Sequence, residues 1–425
     1  MIEKHVLKGN IIYTPQIGEL IALPDSFILI ENGLVTKTSA TLPEEWSAAP
    51  IHDYGASLLL PGLTDLHIHA PQYAFRGLGL DMELLSWLDA YAFPEEARYA
   101  DTGYATFSYS QFADSLRKSF TCRANIFATI HNNTAAKLAE LIAKTGLYAN
   151  IGKVSMDRNC PAELNEGTAA LTAAAAWILE MQGRYDRVKP IITPRFIPSC
   201  SGPLLAALGQ MTARYALPVQ SHLSESLKEI SLVRRLEPQS RHYADAYYRY
   251  GLLGGQPTVM AHCVHLSDQE KLLLKEHGVF IAHCPQSNSN LISGAAPIRS
   301  FLRAELKVGL ATDMAGGAHM SLLRAMQDAV TVSKLRAALI GMDEEPLSLL
   351  EAFYLASKGG GAFFGKVGSF EPGYEADVLV INDAELSPLG LTLGQRLERV
   401  IYLADERHLQ AKYVAGKEVL LTKDN

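Results

Sequence analysis

Cysteine is scarce in this chain. Five thiols stand in 425 residues, at positions 122, 160, 200, 263 and 284, with no CxxC pair. That spacing excludes a disulfide framework and a cysteine-built zinc site, and it leaves the thiols as small buried apolar residues. Basic runs are missing as well. The net charge is −7, and nowhere are Lys and Arg dense enough to neutralise a phosphate backbone, so nucleic acid is not an expected partner. No stretch approaches the roughly 18 continuous apolar residues of a membrane span. The opening MIEKHVLKGNIIYTPQ lacks a charged head followed by an apolar segment, which gives the expectation of a cytoplasmic location.

What is present is ordinary globular composition, 48% hydrophobic and 20% charged, in a chain long enough for one large domain and a smaller one. Residues 1–60 carry short strand-like runs such as IIYTP and SFILIENGLVTKTSA, broken by Gly, Pro and Asn. After residue 60 the pattern changes: apolar runs rich in β-formers alternate with amphipathic or alanine-rich stretches, as repeated βα units do. Eight strands are predicted, at 63–69, 122–130, 147–154, 190–196, 217–222, 258–262, 279–283 and 307–313. Helical stretches such as TAALTAAAAWILEMQ and LSDQEKLLLKEHG separate them, the second closed by Gly278. Eight such units in about 250 residues predict an α/β fold of the TIM-barrel type. The last section, with FEPGYEADVLVIND and AKYVAGKEVLLTK, returns to strands and turns. We therefore expect residues 61–369 to form the barrel, and residues 1–60 plus 370–425 to form one small flanking β-sandwich domain.

Polar residues gather at the ends of the predicted barrel strands. In PGLTDLHIHAPQ, His67 and His69 alternate along a strand and project to one face, with Asp65 on the same side. His222, His262, His283, Arg195 and Asp313 close other strands in the same way. In a TIM barrel those ends form one rim, so residues distant in sequence are predicted to meet. Taken singly, each is more simply a hydrogen-bonded core histidine or a capping aspartate. As a set they match the donors of a catalytic metal: His67, His69, His222, His262 and Asp313 are the candidate ligands, neutral imidazole and carboxylate suiting Zn²⁺ or Fe²⁺. His131 follows another strand and could lie at the rim, outside the set of ligands. Glu225, three residues beyond His222, could reach a water held there; its simpler reading is an acidic residue in the first turn of a helix. A metal that lowers the pKa of water to about 7, beside a carboxylate that moves its proton, predicts hydrolysis at an sp² carbon.

The segments PGLTDLHIHAPQ, QSHLSES, MAHCVHLS, AHCPQSN and ATDMAGG resemble the motif series of the amidohydrolase superfamily. HAPQYAFRG, GKVSMDRNCP, TPRFIPSCS and CPQSNSNLISG are similar to the guanine deaminases within it, in order from about residue 56 to 380. The resemblance implies the same five metal ligands, Glu225 as proton shuttle, His283 orienting the attacking water, and Asp313 relaying a proton to departing ammonia. It also implies substrate contacts at Gln72, Arg195 and Phe196, where an amide, a guanidinium and an aromatic face would receive the purine guanine. Packing in the core is an equal explanation of Phe196, and Trp87 reads as structural or as a further wall. Strand four ends in arginine and offers no lysine for a bridging carbamate; Lys153 lies one strand earlier. One metal per subunit, zinc or iron(II), is therefore expected, in a homodimer. His265 departs from the aromatic residue at that place in vertebrate-type relatives. That departure leaves room for another purine, a pterin or a triazine as substrate, and a catalytically silent binding protein is the reading from outside enzymology.

Overall fold

The computed structural model describes residues 3–340 and 344–421. Its centre is a ring of parallel strands: β1 (Leu63–His69), β2 (Thr121–Phe127), β3 (Tyr148–Gly152, continued by Val154–Ser155), β4 (Val188–Pro190 and Thr193–Pro194), β5 (Val219–Leu223), β6 (Thr258–His262), β7 (Phe280–His283) and β8 (Lys307–Leu310). They pair in two ladders, β1-β2-β3-β4 and β5-β6-β7-β8. Two seams close the ring. At one, the Ile192 N–H donates to Pro218 O at 2.9 Å and the Gln220 N–H to Ile192 O at 3.0 Å. At the other, the Asp313 N–H donates to His67 O at 3.0 Å and the His69 N–H to Met314 O at 3.3 Å. The architecture is a TIM barrel.

Five of these strands, β1, β2, β5, β6 and β7, are buried along their whole length because helices cover the outside and side chains fill the inside, which is why they lack the strict alternation of a half-exposed sheet. The filling is partly polar and paired: Asn150 Nδ2 donates to Asn125 Oδ1 at 2.9 Å, and Gln220 Nε2 to Thr193 Oγ1 at 3.0 Å. Gly152 sits where a Cβ would fall 1.7 Å from Thr193 Oγ1, so only glycine lets β3 and β4 approach there. Several strands end sooner than the pattern predicts. β8 leaves the ladder after Leu310, and Asp313 has φ +46°, a left-handed turn that carries its side chain back over the barrel mouth.

The terminal segments meet in one seven-stranded sheet, ordered 417–418, 409–414, 378–381, 51–61, 4–13, 21–31 and 34–39. Antiparallel pairing of Leu379 with Leu60 and Val380 with Leu59 joins the end of the chain to its beginning. All seven strands share one ladder, with bulges at Gly9/Ile11 and Lys8/Asn10, irregularities of the kind that bend a strand. One face buries Leu7, Ile11, Ile28 and Val378, while Ile12, Leu58 and Leu60 on the other join the barrel core. Residues 1–2, 341–343 and 422–425 of the expected domains lie outside the described residues. The two parts are riveted by buried charge. Arg123 on β2 donates through Nε to Asp377 Oδ2 at 2.6 Å and through Nη2 to Glu375 Oε2 at 2.7 Å. Lys412 sends its ammonium into the barrel wall, donating to Arg117 O at 2.8 Å and Thr121 O at 2.9 Å.

Candidate active site

His67 and His69 project from the end of β1 to the same side, because alternation along the strand leaves them no other choice. Their Nε2 atoms are 3.1 Å apart. His222, at the end of β5, brings its Nε2 to 3.2 Å from that of His69. Asp313 Oδ1 lies 3.1 Å from His67 Nε2 and 3.5 Å from His69 Nε2, and its Oδ2 is 3.7 Å from His262 Nε2 at the end of β6. Four imidazoles from the ends of three strands and one carboxylate from the turn after β8 thus gather into one cluster. All are buried.

The far sides of the rings decide which nitrogen is free. His222 Nδ1 donates to Arg195 O at 2.6 Å, which leaves the lone pair on Nε2, and His262 Nδ1 faces Asn288 Oδ1 at 2.9 Å with the same result. Burial lowers the proton affinity of His67, His69 and His222, the latter two far below the ordinary imidazole value. Burial alone would raise Asp313; the His67 ring beside it reverses this and holds the carboxyl well below the usual range. His262 is the exception: burial would lower it, but the neighbouring Glu225 and Asp313 carboxylates raise it above the ordinary value. Imidazoles whose lone pairs can face inward and an ionised carboxylate are the donor set a divalent cation requires. Among the described residues, His67 with His222 and His262, and His67 with His69 and Asp313, form groups able to share one ion.

Glu225 stands at the edge of this cluster, Oε2 3.3 Å from His262 Nε2. Ser293 Oγ donates to its Oε1 at 3.0 Å. Burial pushes its carboxyl up to about 7, against the pull of His262. Its backbone is clamped by the helix Leu227–Leu236, where Ser226 and Glu229 form a capping box and Glu229 Oε2 also accepts from the Glu225 N–H at 2.9 Å. His265 Nε2 donates to Ser293 O at 2.7 Å and so braces the loop that holds Glu225.

A cleft opens over these groups, lined by Gln72, Arg195, Phe196 and Trp87 as well as by Glu225 and Asp313. His283 is different: it is buried at the end of β7, burial followed by the His262 charge lowers it to about 3, and it is not among the residues lining the cleft. Nor do His131 or Lys153 line it; the Lys153 ammonium is paired with Glu166 on the next loop. Sequence reasoning missed Asp65 as a brace, Asn288 as the partner of His262, and Glu96 altogether. Asp65 accepts from the Thr312 N–H at 3.1 Å and the His67 N–H at 3.2 Å, tying β1 to the turn that carries Asp313. Asn288 was in view in the CPQSNSN segment; Glu96, in FPEEA, has no local signal.

Residues 58–419 match the model of the amidohydrolase family. The chain belongs to that family. Within it, the guanine deaminase of Mus musculus is 37% identical to this amidohydrolase over 433 residues, covering 98% of this chain and 93% of that protein. The guanine deaminase from C. acetobutylicum, solved with guanine bound in its active site, superposes with a TM-score of 0.96 at 43% identity, covering 98% of this chain and all of that one, 100%. The E. coli guanine deaminase superposes with a TM-score of 0.86 at 30% identity, over 98% of this chain and 99% of that one.

Proposed function

We propose that this amidohydrolase is a guanine deaminase, converting guanine and water to xanthine and ammonia. The observation that carries the reading is one cleft lined at once by Gln72, Arg195 and Phe196, by His69, His222, His262 and Asp313 of the cluster, and by Glu225. The likeness to guanine deaminases over nearly the whole chain supports it.

In this reading the five inward donors would hold one divalent ion, Zn²⁺ with Fe²⁺ suiting the same atoms, and such an ion when bound lowers the pKa of water toward neutrality. Phe196 packs against the purine, while Arg195 and Gln72 satisfy its carbonyl and ring nitrogens. Glu225, with a carboxyl near 7, takes a proton from the attacking water and passes it to a ring nitrogen as the oxygen bonds to C2. Asp313, kept ionised, relays the next proton to the amino group. The C2–N bond then breaks, ammonia leaves and the C2 carbonyl forms. The resemblance assigns the orienting of that water to His283. The resemblance further implies a homodimer in the cytoplasm.

Purified enzyme offered guanine, adenosine, a pterin and a triazine tests the substrate. Ammonia and xanthine in equal amounts from guanine are expected; turnover of another member of the panel with none of guanine would reject the reading. Metal analysis is expected to give one equivalent per chain, and light scattering is expected to give twice the chain mass.

A further inference from the structure

Behind the cleft, Gln72 and Arg195 are joined by a third buried polar side chain that the reaction itself does not use. Glu96, on the short helix Phe93–Ala97, is 1% exposed. Its Oε1 accepts from Gln72 Nε2 at 3.0 Å, and its Oε2 pairs with Arg195 Nη1. Gln72 Oε1 in turn accepts the backbone N–H of Ala315 at 3.0 Å. The ring of Phe93 lies 5.0 Å beneath the Arg195 guanidinium. Among the described residues Glu96 is the one acceptor given to that guanidinium, and Arg195 and Gln72 both line the cleft while Glu96 does not.

We infer that Glu96 is the positioning residue for purine recognition: it fixes which end of the Gln72 amide donates and holds the Arg195 fork in place, and so makes the cleft selective for purines that carry an oxo group. This inference rests on the guanine deaminase reading above. An amide can turn over, exchanging its donor and acceptor ends at almost no change in shape. Here both ends are spoken for. The carboxylate of Glu96 accepts only, so Gln72 must turn its NH₂ toward it, and the Ala315 N–H donates only, so Gln72 must turn its oxygen there. One N–H and one lone pair remain, in an order the protein dictates. A buried carboxylate held by one arginine and one amide is costly unless both partners stay, which resists their drift when the cleft is empty. The Ala315 link also sets the register between Gln72 and Asp313, two residues earlier in the chain.

Glu96→Gln is the informative change, being equal in size. Its single oxygen is claimed by Arg195, so its NH₂ meets the NH₂ of Gln72 and forces that amide to turn, which puts a second clash at Ala315. The cleft then presents the wrong donor order to an oxo-purine, whereas unsubstituted purine, with neither carbonyl nor ring N–H on its six-membered ring, has nothing to lose.

Hypoxanthine and purine, measured as competitive inhibitors of guanine hydrolysis, read this out. In Glu96→Gln the Ki of hypoxanthine is expected to rise about tenfold or more and that of purine to stay within about twofold, with KM for guanine rising more than kcat falls and metal content unchanged. Should that variant not fold, Glu96→Asp keeps the charge, withdraws it by one methylene and is expected to shift the two Ki values in the same unequal way. Equal weakening of both inhibitors, or of neither, in an enzyme that hydrolyses guanine would overturn the inference alone. Wild-type enzyme inactive on guanine would overturn the functional reading and this inference with it.

Discussion

Glu225 Oε2 lies 3.3 Å from His262 Nε2, while its other oxygen receives the Ser293 hydroxyl. One carboxylate therefore touches the donor cluster and is held in place from a loop that no metal ligand occupies. Glu225→Ala should retain fold and bound metal and lose turnover by about 10²- to 10⁴-fold, the usual contribution of a positioned acid-base group. Steady-state kinetics with metal analysis on the same preparation checks it; near wild-type kcat would remove Glu225 from the mechanism.

Chelation should abolish activity and lower thermal stability together, since the five inward donors are left facing one another without a cation. A ligand at 100 to 1,000 times its Kd stabilises by about 2.7 to 4.1 kcal/mol. A melting curve before and after chelator, with re-addition of Zn²⁺ restoring both properties, is the measurement. His67→Ala should start in the stripped condition, with less than one equivalent of metal.

Asp65 holds two backbone N–H groups and the Thr312 hydroxyl while fully buried. Asp65→Ala orphans them, at about 1–3 kcal/mol for each unsatisfied group, and loosens the seam that carries Asp313. Metal affinity and denaturant midpoint should fall together. A stable variant with wild-type metal affinity would show that the brace is dispensable.

Arg123 is 1% exposed and paired with both Asp377 and Glu375 across the junction of barrel and terminal sheet. Arg123→Ala leaves Asp377 buried and uncompensated, a loss of about 3–5 kcal/mol. Arg123→Ala with Asp377→Ala should recover part of that loss. Urea unfolding of both variants tests the coupling; equal losses in the single and double variants would deny it.

Lys412 is completely buried, and burial lowers its ammonium to about 8 from the ordinary 10.5, against the weaker pull of Cys122. Below pH 8 the ammonium is charged folded and unfolded alike, so the burial cost is constant. Between about 8 and 10.5 the unfolded chain binds more protons, and the Lys412 contribution to stability rises with pH. Lys412→Met should remove that rise, whatever its effect on absolute stability. Denaturant midpoints at pH 7.5, 9 and 10 for both proteins decide it; parallel curves would reject the assignment.

Much of the site was legible before any coordinates, for a physical reason. His67, His69, His222 and His262 each end an apolar run, and an imidazole there is conspicuous because burial of an unpartnered polar ring is costly. The barrel was legible from alternation of the two periodicities, and strand ends became one rim by topology alone. His283 satisfies the same pattern, yet it sits outside the cleft lining; ending a strand specifies which end of the barrel a residue occupies and not how deep its ring lies. The bent single sheet of the terminal segments was less legible, because pairing of Leu379 with Leu60 spans most of the chain.

By itself, then, the sequence determined the periodicity, the strand-and-helix order and the chemical types of the inward donors, all of which depend on residues near one another in the chain. Only the tertiary structure decided the partners: Glu96 under Gln72 and Arg195, Asn288 behind His262, Asp65 across the seam to Thr312. Hydrogen bonds between side chains select among distant segments by distances of a few tenths of an ångström, and no local pattern of residues encodes that closeness.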